Sequence, residues 1–499
     1  MKKVTFLLIV ILVSSYGFAQ NYNRPIPSET FPYEFQNSGT GLEGFYLTTN
    51  FKVNVPQSNP NFIAPYPAIY DETGYIAWYS KPNVINCTDF KYYADEDLYS
   101  YSVVESGPEV KFVILDGNLN RIDTLNVQIH EEDIHDLQRA ANGNWLLGAK
   151  FMDTMDLSAY SFDGVQGNSQ TVIRGFGVQE IDANGNVVFE WNSNDFMHPS
   201  ETYDFYGYNA NDFDYCHGNA IEEDTDGNLL FSMRHTNSII KVDRTTGAII
   251  WRLGGQLSDF TFVNGTPFSA QHDIRKLPNG NYSLYNNDNM GPQESRGEEY
   301  TLDTVNWTAT KVYEYIHPDA NYHRAMGCYR YLPNDYKLMG WGFSYRPSPN
   351  ATIVDDQDNV VSEYYFEDSV MMYRIVFDDA VTLPRPEIIC VDTGNGYELT
   401  VNPAASYQWS TGSTSQSIPL TVAGTYQVWV PFGEGFVGSF PFTVTDPNNP
   451  CSLGIEALNL DSGAFKWCNL LGQEIQHPKK GTLYLKIFEN GHIEKVIFQ

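Results

Sequence analysis

The chain has 499 residues with 61 Asp+Glu against 30 Lys+Arg, a formal net charge of −31 and a pI near 4.5. That balance excludes a nucleic-acid binder, which needs clustered Lys/Arg to displace counterions, and a polybasic membrane-surface protein. With 42% hydrophobic and 15% aromatic residues the chain is too apolar to stay disordered, and its 34 Tyr, 30 Phe and 39 Gly read as a secreted all-β composition.

Residues 1–19 open with Met1-Lys2-Lys3, run through an apolar stretch from Phe6 to Val13 and end in Gly17-Phe18-Ala19. A basic start, a short apolar centre and a small-residue end predict a signal peptide over 1–19, too short to persist as a transmembrane helix. No other segment is apolar enough to span a bilayer, so the mature protein is expected to be secreted or held at the cell surface after passage through the periplasm. In that oxidising setting the six Cys allow fifteen pairings. Cys390 and Cys451 flank one β segment and are the first candidates for a disulfide. No CxxC or CxxH pattern and no DxDxDG loop occurs, so no metal and no cofactor is assigned.

From about residue 30 to 384 one pattern recurs: an apolar run, an Asp, a short polar turn and a second β-rich run. It stands at AIYDETGYIAWY, FVILDGNLNRIDTL, VQEIDANGNVVFEW, IIKVDRTTGAIIWRL, EYTLDTVNWTATKVYEY and ATIVDDQDNVVSEYYF, centred on Asp71, Asp116, Asp182, Asp243, Asp303 and Asp355. Each is a β-hairpin by its own chemistry, with Asp as turn former. The Asp-to-Asp spacings of 45, 66, 61, 60 and 52 residues suit four-stranded propeller blades. A second hairpin signature alternates with the first, at LQRAANGNWLLGA, AIEEDTDGNLLFSM, IRKLPNGNYSLYN and CYRYLPNDYKLMG. Two hairpins per period predict a six-bladed β-propeller over 30–384.

Eight of the ten His fall between residues 130 and 323. His135 and His272 each precede an Asn-Gly-Asn turn by seven residues, and His217 precedes Asp226-Gly227-Asn228 in a similar register. Residues at equivalent points of successive blades converge on the central channel, so these three are expected to meet there. Arg234 and His235, in SMRHTNSII, are further candidates to line that channel.

The stretch CHGNAIEEDTDGNLLFSMRHTNSIIKVDRTTGAIIWRLGGQLSDF, then FSAQHDIRKLPNGNYSLYNND and ESRGEEYTLD, resembles the bacterial aryl-sulfate sulfotransferase family. The match is specific over 212–303 and weaker over the rest of 40–384. The resemblance implies an exported six-bladed propeller enzyme moving a sulfuryl group from a phenolic sulfate ester to a phenolic acceptor through a sulfated His, without a nucleotide donor. It places His217 and His272 on two of the family's histidines and Arg296 on its arginine, to bind sulfate oxygens and protonate the leaving phenolate. The sulfated His is expected in the last blade just before a Tyr-Arg pair, where this chain reads Met371-Met372-Tyr373-Arg374. His323, His135 or His272 could serve in its place. The competing expectation is a non-catalytic secreted propeller that binds a ligand or glycan, its nucleophile lost. The residue facing His217 and His272 from the last blade separates the two: a His favours transfer, Met372 favours binding. Sulfatase-like hydrolysis has no support, since no C/S-x-P-x-R motif occurs.

After Leu383-Pro384-Arg385-Pro386, residues 387–447 alternate short β runs with Gly/Ser/Thr turns and predict an Ig-like β-sandwich. Residues 451–499 resemble the C-terminal sorting domain of the Bacteroidetes type IX secretion system, carried by Leu470-Leu471-Gly472-Gln473-Glu474, Gly481, Tyr484 and Gly491 to Lys495. That resemblance implies the secretion machinery as a partner and a small C-terminal β domain.

Overall fold

The computed structural model describes residues 24–448, apart from 40, 54–61, 106–108, 163–164, 204–211 and 320, and three strands at 465–468, 483–488 and 493–497. The expected signal peptide lies outside the described residues. The described residues are all-β, built of antiparallel sheets with two short parallel pairings, 173–174 with 213–214 and 261–263 with 308–310, and short 3-10 turns beside them. Among the described residues no helix is long and apolar enough to cross a membrane.

Contacts divide the chain into two units. In the larger one, sheet one joins Phe45–Lys52, Tyr66–Asp71 and Ile76–Ser80 to the late strand Val370–Asp378. Sheet two is Asn86–Tyr93, Leu98–Val104, Val110–Asp116 and Arg121–Leu125. Sheet three holds Glu131–Arg139, Trp145–Met155, Thr171–Ile181 and Val187–Asn192. Sheet four follows with Gly218–Glu223, Leu229–Met233, Ser238–Val242 and Ile249–Gly254. Sheet five contains His272–Lys276, Tyr282–Asn286, Arg296–Asp303 and Thr308–Ile316. Sheet six contains Cys328–Tyr331, Lys337–Gly340, Ala351–Val354 and Val360–Phe366, with Tyr33–Asn37 added at its far edge.

The lead strands 370–378, 86–93, 131–139, 218–223, 272–276 and 328–331 touch one another in that order, and the last returns to the first. Two pairings tie the chain ends into this circuit: 45–52 with 370–378, and 33–37 with 360–366. Separate apolar cores fill the spaces between neighbouring sheets. Tyr33, Tyr70, Tyr364 and Ile375 pack between sheets six and one, Phe90 and Trp78 between one and two, and Phe176, Trp191 and Phe231 between three and four. Burial on both faces explains why the middle strands read as continuous apolar runs.

Both sequence signatures fall on turns. The recurrent Asp closes the turn between third and fourth strands, its carboxylate accepting two backbone N–H groups. Asp182 Oδ1, for example, accepts from Asn184 at 2.9 Å and Asn186 at 2.8 Å, and Asp355 does the same from Gln357 and Asn359. These bonds replace water at the exposed hairpin tip; the Asn186 and Asn359 side chains first, with the backbone bonds, hold Asp182 and Asp355 below the usual carboxylate range, and the backbone bonds of Thr246 and Asn306 do so first for Asp243 and Asp303. The second signature forms the turn between first and second strands of sheets three to six.

Sheet one continues outward. Gly435–Gly438 pairs with Ile76–Ser80, and Val428–Phe432 and Gln408–Trp409 follow. A Cβ on Gly435 would lie 2.2 Å from the carbonyl of Tyr79, so only glycine admits this approach. The smaller unit holds the antiparallel strands Ile389–Asp392, Tyr397–Thr400 and Ser417–Leu420, and a second antiparallel sheet of 465–468, 483–488 and 493–497. Cys390 is disulfide-bonded, whereas Cys87, Cys216 and Cys328 are free and buried; Cys451 lies outside the described residues. Of the residues carrying the sorting resemblance, only Tyr484 and 493–495 fall within the described strands.

At the centre of the circuit the lead strands meet in a buried ion network. Arg374 donates to Asp89 at 2.6 Å and to the carbonyl of Asn219 at 2.5 Å, and its Nε lies 3.1 Å from Asp273. Lys91 reaches Asp89 and Asp136, each at 2.7 Å. Arg275 bridges Asp136 and Asp273, Arg330 pairs with Asp273, and Glu222 lies 3.3 Å from Arg275. Four carboxylates thus face four cations. Burial alone would raise the Asp136 and Asp273 carboxyls, but the cations overcome it, holding Asp136 well below its usual value and Asp273 at about 2.

Replacing Arg374 by Met is expected to cost about 3–5 kcal/mol, because Asp89, Asp273 and Asp136, the last 3.5 Å from Arg374, lose their common partner. A denaturation midpoint unchanged from wild type would contradict this. The folded-state value of Asp273 is depressed, so its stabilisation is complete above the unfolded value of about 4 and is lost as pH falls through about 2. Acid titration of Asp273→Asn should show a shallower loss of stability in that window than the parent chain.

Candidate active site

Just above this network the lead strands break their regular pairing. Register shifts occur opposite Thr88–Lys91, within 132–137, across Gly218–Ala220, across His272–Arg275 and across Met372–Ile375. A bulge sends two neighbouring side chains to the same side of a strand, which strict alternation forbids. His272 and Asp273, and Tyr373 and Arg374, reach the centre as such pairs. Asp89, His217 and Asp273 are held at positive φ of 61°, 48° and 63°, where a non-glycine residue is uncommon. Gly218 beside His217 packs its backbone on Phe176, where a Cβ would come within 2.0 Å of the ring.

Four imidazoles result. The His135 and His217 rings lie 4.8 Å apart, and His217 stacks on His235 at 4.6 Å. His135 connects to His272 through Tyr373, whose ring centroid is 6.2 Å from His135 and 5.3 Å from His272. The Tyr373 hydroxyl donates to the carbonyl of His135 at 3.0 Å and lies 3.3 Å from His272 Nε2.

Each imidazole is oriented through Nδ1. Asp133 Oδ1 lies 2.5 Å from Nδ1 of His135 and also accepts its backbone N–H. Asp214 holds His217 in the same way, with Oδ2 at 2.6 Å from Nδ1 and Oδ1 accepting the backbone N–H. His235 Nδ1 donates to the Asp214 carbonyl and His272 Nδ1 to the Gly327 carbonyl, both at 2.7 Å. A neutral ring donating through Nδ1 carries its lone pair on Nε2. Burial, reinforced by the neighbouring His217, lowers His235 to about 4; burial and Arg374 hold His272 well below its usual range. Both are neutral at pH 7. The His135 and His217 side chains keep 19% and 28% of their surface exposed, whereas His272 is buried, so solvent-borne ligands meet the first two.

The other expected site residues lie elsewhere. Arg296, on the third strand of sheet five, is buried; its Nε donates to Glu298 at 2.6 Å and its Nη1 lies 3.2 Å from Asp288. Among the described residues no contact joins it to the four imidazoles. His323 packs on Trp341 at 5.4 Å and is lowered to about 3 by burial and His317. Met372 points into the core between sheets six and one, and Arg374 is engaged by the ion network. The side chain facing His272 from the last lead strand is therefore Tyr373. Asp133, Asp214 and Tyr373 were not singled out from sequence. The two acids stand two and three residues before their histidines, a spacing readable in DIH and DYCH, but Tyr373 faces inward only because of the bulge.

Tyr373→Phe removes the hydroxyl bond to His135 and should cost about 0.5–1.5 kcal/mol without changing the fold. Urea titration checks this; a loss several times larger would mean the ring itself is displaced.

The family description Arylsulfotransferase (ASST) matches residues 104–367, just over half of the 499-residue chain. No curated protein matches it. Among solved structures, the chain is similar to a Bacteroides caccae protein of unknown function at 12% identity and a TM-score of 0.40, over 67% of this chain and 98% of that one. It is also similar to a catalytically inactive virginiamycin B lyase from Staphylococcus aureus, solved with quinupristin, at 11% identity and a TM-score of 0.34, over 74% of this chain and 96% of that one. With the family description spanning sheets three to five and most of sheet six, together with His135, His217, His235 and His272, the chain belongs to the arylsulfotransferase family.

Proposed function

We propose that the protein is an exported enzyme that moves a sulfuryl group from a phenolic sulfate ester to a phenolic acceptor through a sulfated histidine. The observation that carries this reading is the pair of carboxylate-backed, part-exposed imidazoles of His135 and His217, 4.8 Å apart. We take the closed circuit of lead strands as a six-bladed propeller, the segment 387–447 as Ig-like and the tail 451–499 as a type IX sorting domain engaging the secretion machinery. The amino-terminal segment is then the export signal.

In this reading the Nε2 lone pair of His135 attacks sulfur while its Nδ1 proton stays on the bond to Asp133. The N–S bond forms as the S–O bond to the aryl group breaks. His217 gives a proton from Nε2 to the departing phenolate oxygen, with Asp214 balancing its charge. The phenol leaves, an acceptor phenol takes its place, and His217 removes the acceptor's proton as its oxygen displaces His135 from sulfur. The neutral His235 and His272 line the site. His135 replaces the histidine that the resemblance places at Met371-Met372.

The test is 4-nitrophenyl sulfate with and without an added phenol. Acceptor-dependent release of 4-nitrophenol is expected, falling about 10²–10⁴-fold in His135→Ala and His217→Ala. Asp214→Asn, which leaves His217 without its carboxylate, should fall by a similar factor with the fold retained. Absence of acceptor-dependent release from the folded parent chain would overturn the proposal.

A further inference from the structure

With Arg296 enclosed by carboxylates, the site needs another source of positive charge for an anionic ester, in a protein whose net charge is −31. Arg234 stands beside the imidazoles, and Arg324 adjoins Arg234. The backbone N–H of Arg234 donates to the carbonyl of His217 at 3.0 Å, which fixes its Cα next to both His217 and His235. Its Nη2 donates to the backbone carbonyl of Arg324 at 2.9 Å, so the two residues adjoin. The side chain of Arg324 is exposed and its guanidinium lies over the Phe343 ring, 4.6 Å from the centroid. Among the described residues no carboxylate lies within ion-pair distance of Arg324. The backbone there is also tied down, since Asn289 donates to the Arg324 carbonyl at 3.1 Å and itself accepts from the Tyr322 hydroxyl at 3.1 Å. Burial raises the Tyr322 hydroxyl, Arg234 and Arg324 lower it, and Asp288 raises it.

We propose that Arg324, with Arg234 beside it, is the anion clamp that receives the sulfuryl oxygens of an aryl sulfate at the rim of the imidazole group. This rests on the transferase reading. The chemistry favours Arg324 for that task. A guanidinium presents a planar fork that matches two oxygens of a tetrahedral anion, and a face already resting on Phe343 loses little freedom when it binds. An arginine with a carboxylate partner must give up that bond first; among the described residues Arg324 has none to give up. The same placement sets the aromatic part of the ester against the apolar group of Phe51, Met371 and Tyr373, to which Met326 and Phe343 belong. Selection is therefore for a monoanionic ester carrying an aryl group, with charge read by the arginines and the ring by this patch.

The experiment has two arms on the full chain. In the first, binding of 4-nitrophenyl sulfate and of neutral 4-nitrophenol is measured by calorimetry in the His135→Ala background, where turnover is removed. Arg324→Gln is expected to weaken sulfate-ester binding by about 10–100-fold, the worth of a charge-assisted pair, and to leave 4-nitrophenol binding within about twofold. Arg324→Lys should recover part of the loss, and Arg139→Gln, on an exposed pair with Glu96, should change neither. In the second arm, Arg324→Gln is expected to raise KM for the ester in the active chain. Equal binding of the ester by Arg324→Gln and the parent would overturn the clamp, as would an equal loss for ester and phenol. If the parent binds the ester but never transfers it, the transferase reading fails while the clamp stands.

Discussion

The whole site hangs on one buried guanidinium. Arg374 comes from the last lead strand, yet it satisfies carboxylates and a carbonyl from sheets two, four and five. Removing water from four carboxylates and four cations carries a large penalty, offset only because each charge has a close partner of opposite sign. Such a network tolerates little displacement. It therefore fixes the height and rotation of every lead strand relative to the others, and His135 and His272, each one residue before a network carboxylate, inherit that fixed geometry.

The bulges translate this rigidity into chemistry. A regular strand would give each blade one inward residue at this level. The register shifts give two, one for the ion network and one for the site, so His272 stands next to Asp273 and Tyr373 next to Arg374. Positive φ at Asp89, His217 and Asp273 is the conformational cost of the arrangement, and the bonds these residues make hold them there. Structural support and reactive groups thus alternate along the same few residues.

Much of this was legible in the sequence. The Asp turns and the alternating Asn-Gly-Asn signature mark hairpin tips, because the side-chain bonds that close such turns are local. His135, His217 and His272 stand in or just before the lead strands of three successive sheets, a shared position readable from the repeat. What the sequence did not reveal depends on long-range packing. Arg296 stands in a motif that matches the family, but its Glu298 neighbour two residues on shares a face of the same strand and captures it. Met372 and Tyr373 exchange roles through a single bulge, and no local pattern distinguishes a bulged strand from a regular one. Arg324 is an ordinary exposed arginine until the fold sets it beside Arg234 with no carboxylate in ion-pair distance among the described residues.

The pairing of 45–52 with 370–378 has a consequence for the order of events in the life of the molecule. Tyr373 and Arg374 lie more than three hundred residues after the strand that receives them, and the loop between contains every imidazole of the site. Until that strand docks, Asp89, Asp136 and Asp273 lack their shared cation and His272 lacks its phenolic neighbour. A chain in which only the first 369 residues have folded therefore carries no assembled centre. The centre is assembled only when the last strand closes the circuit.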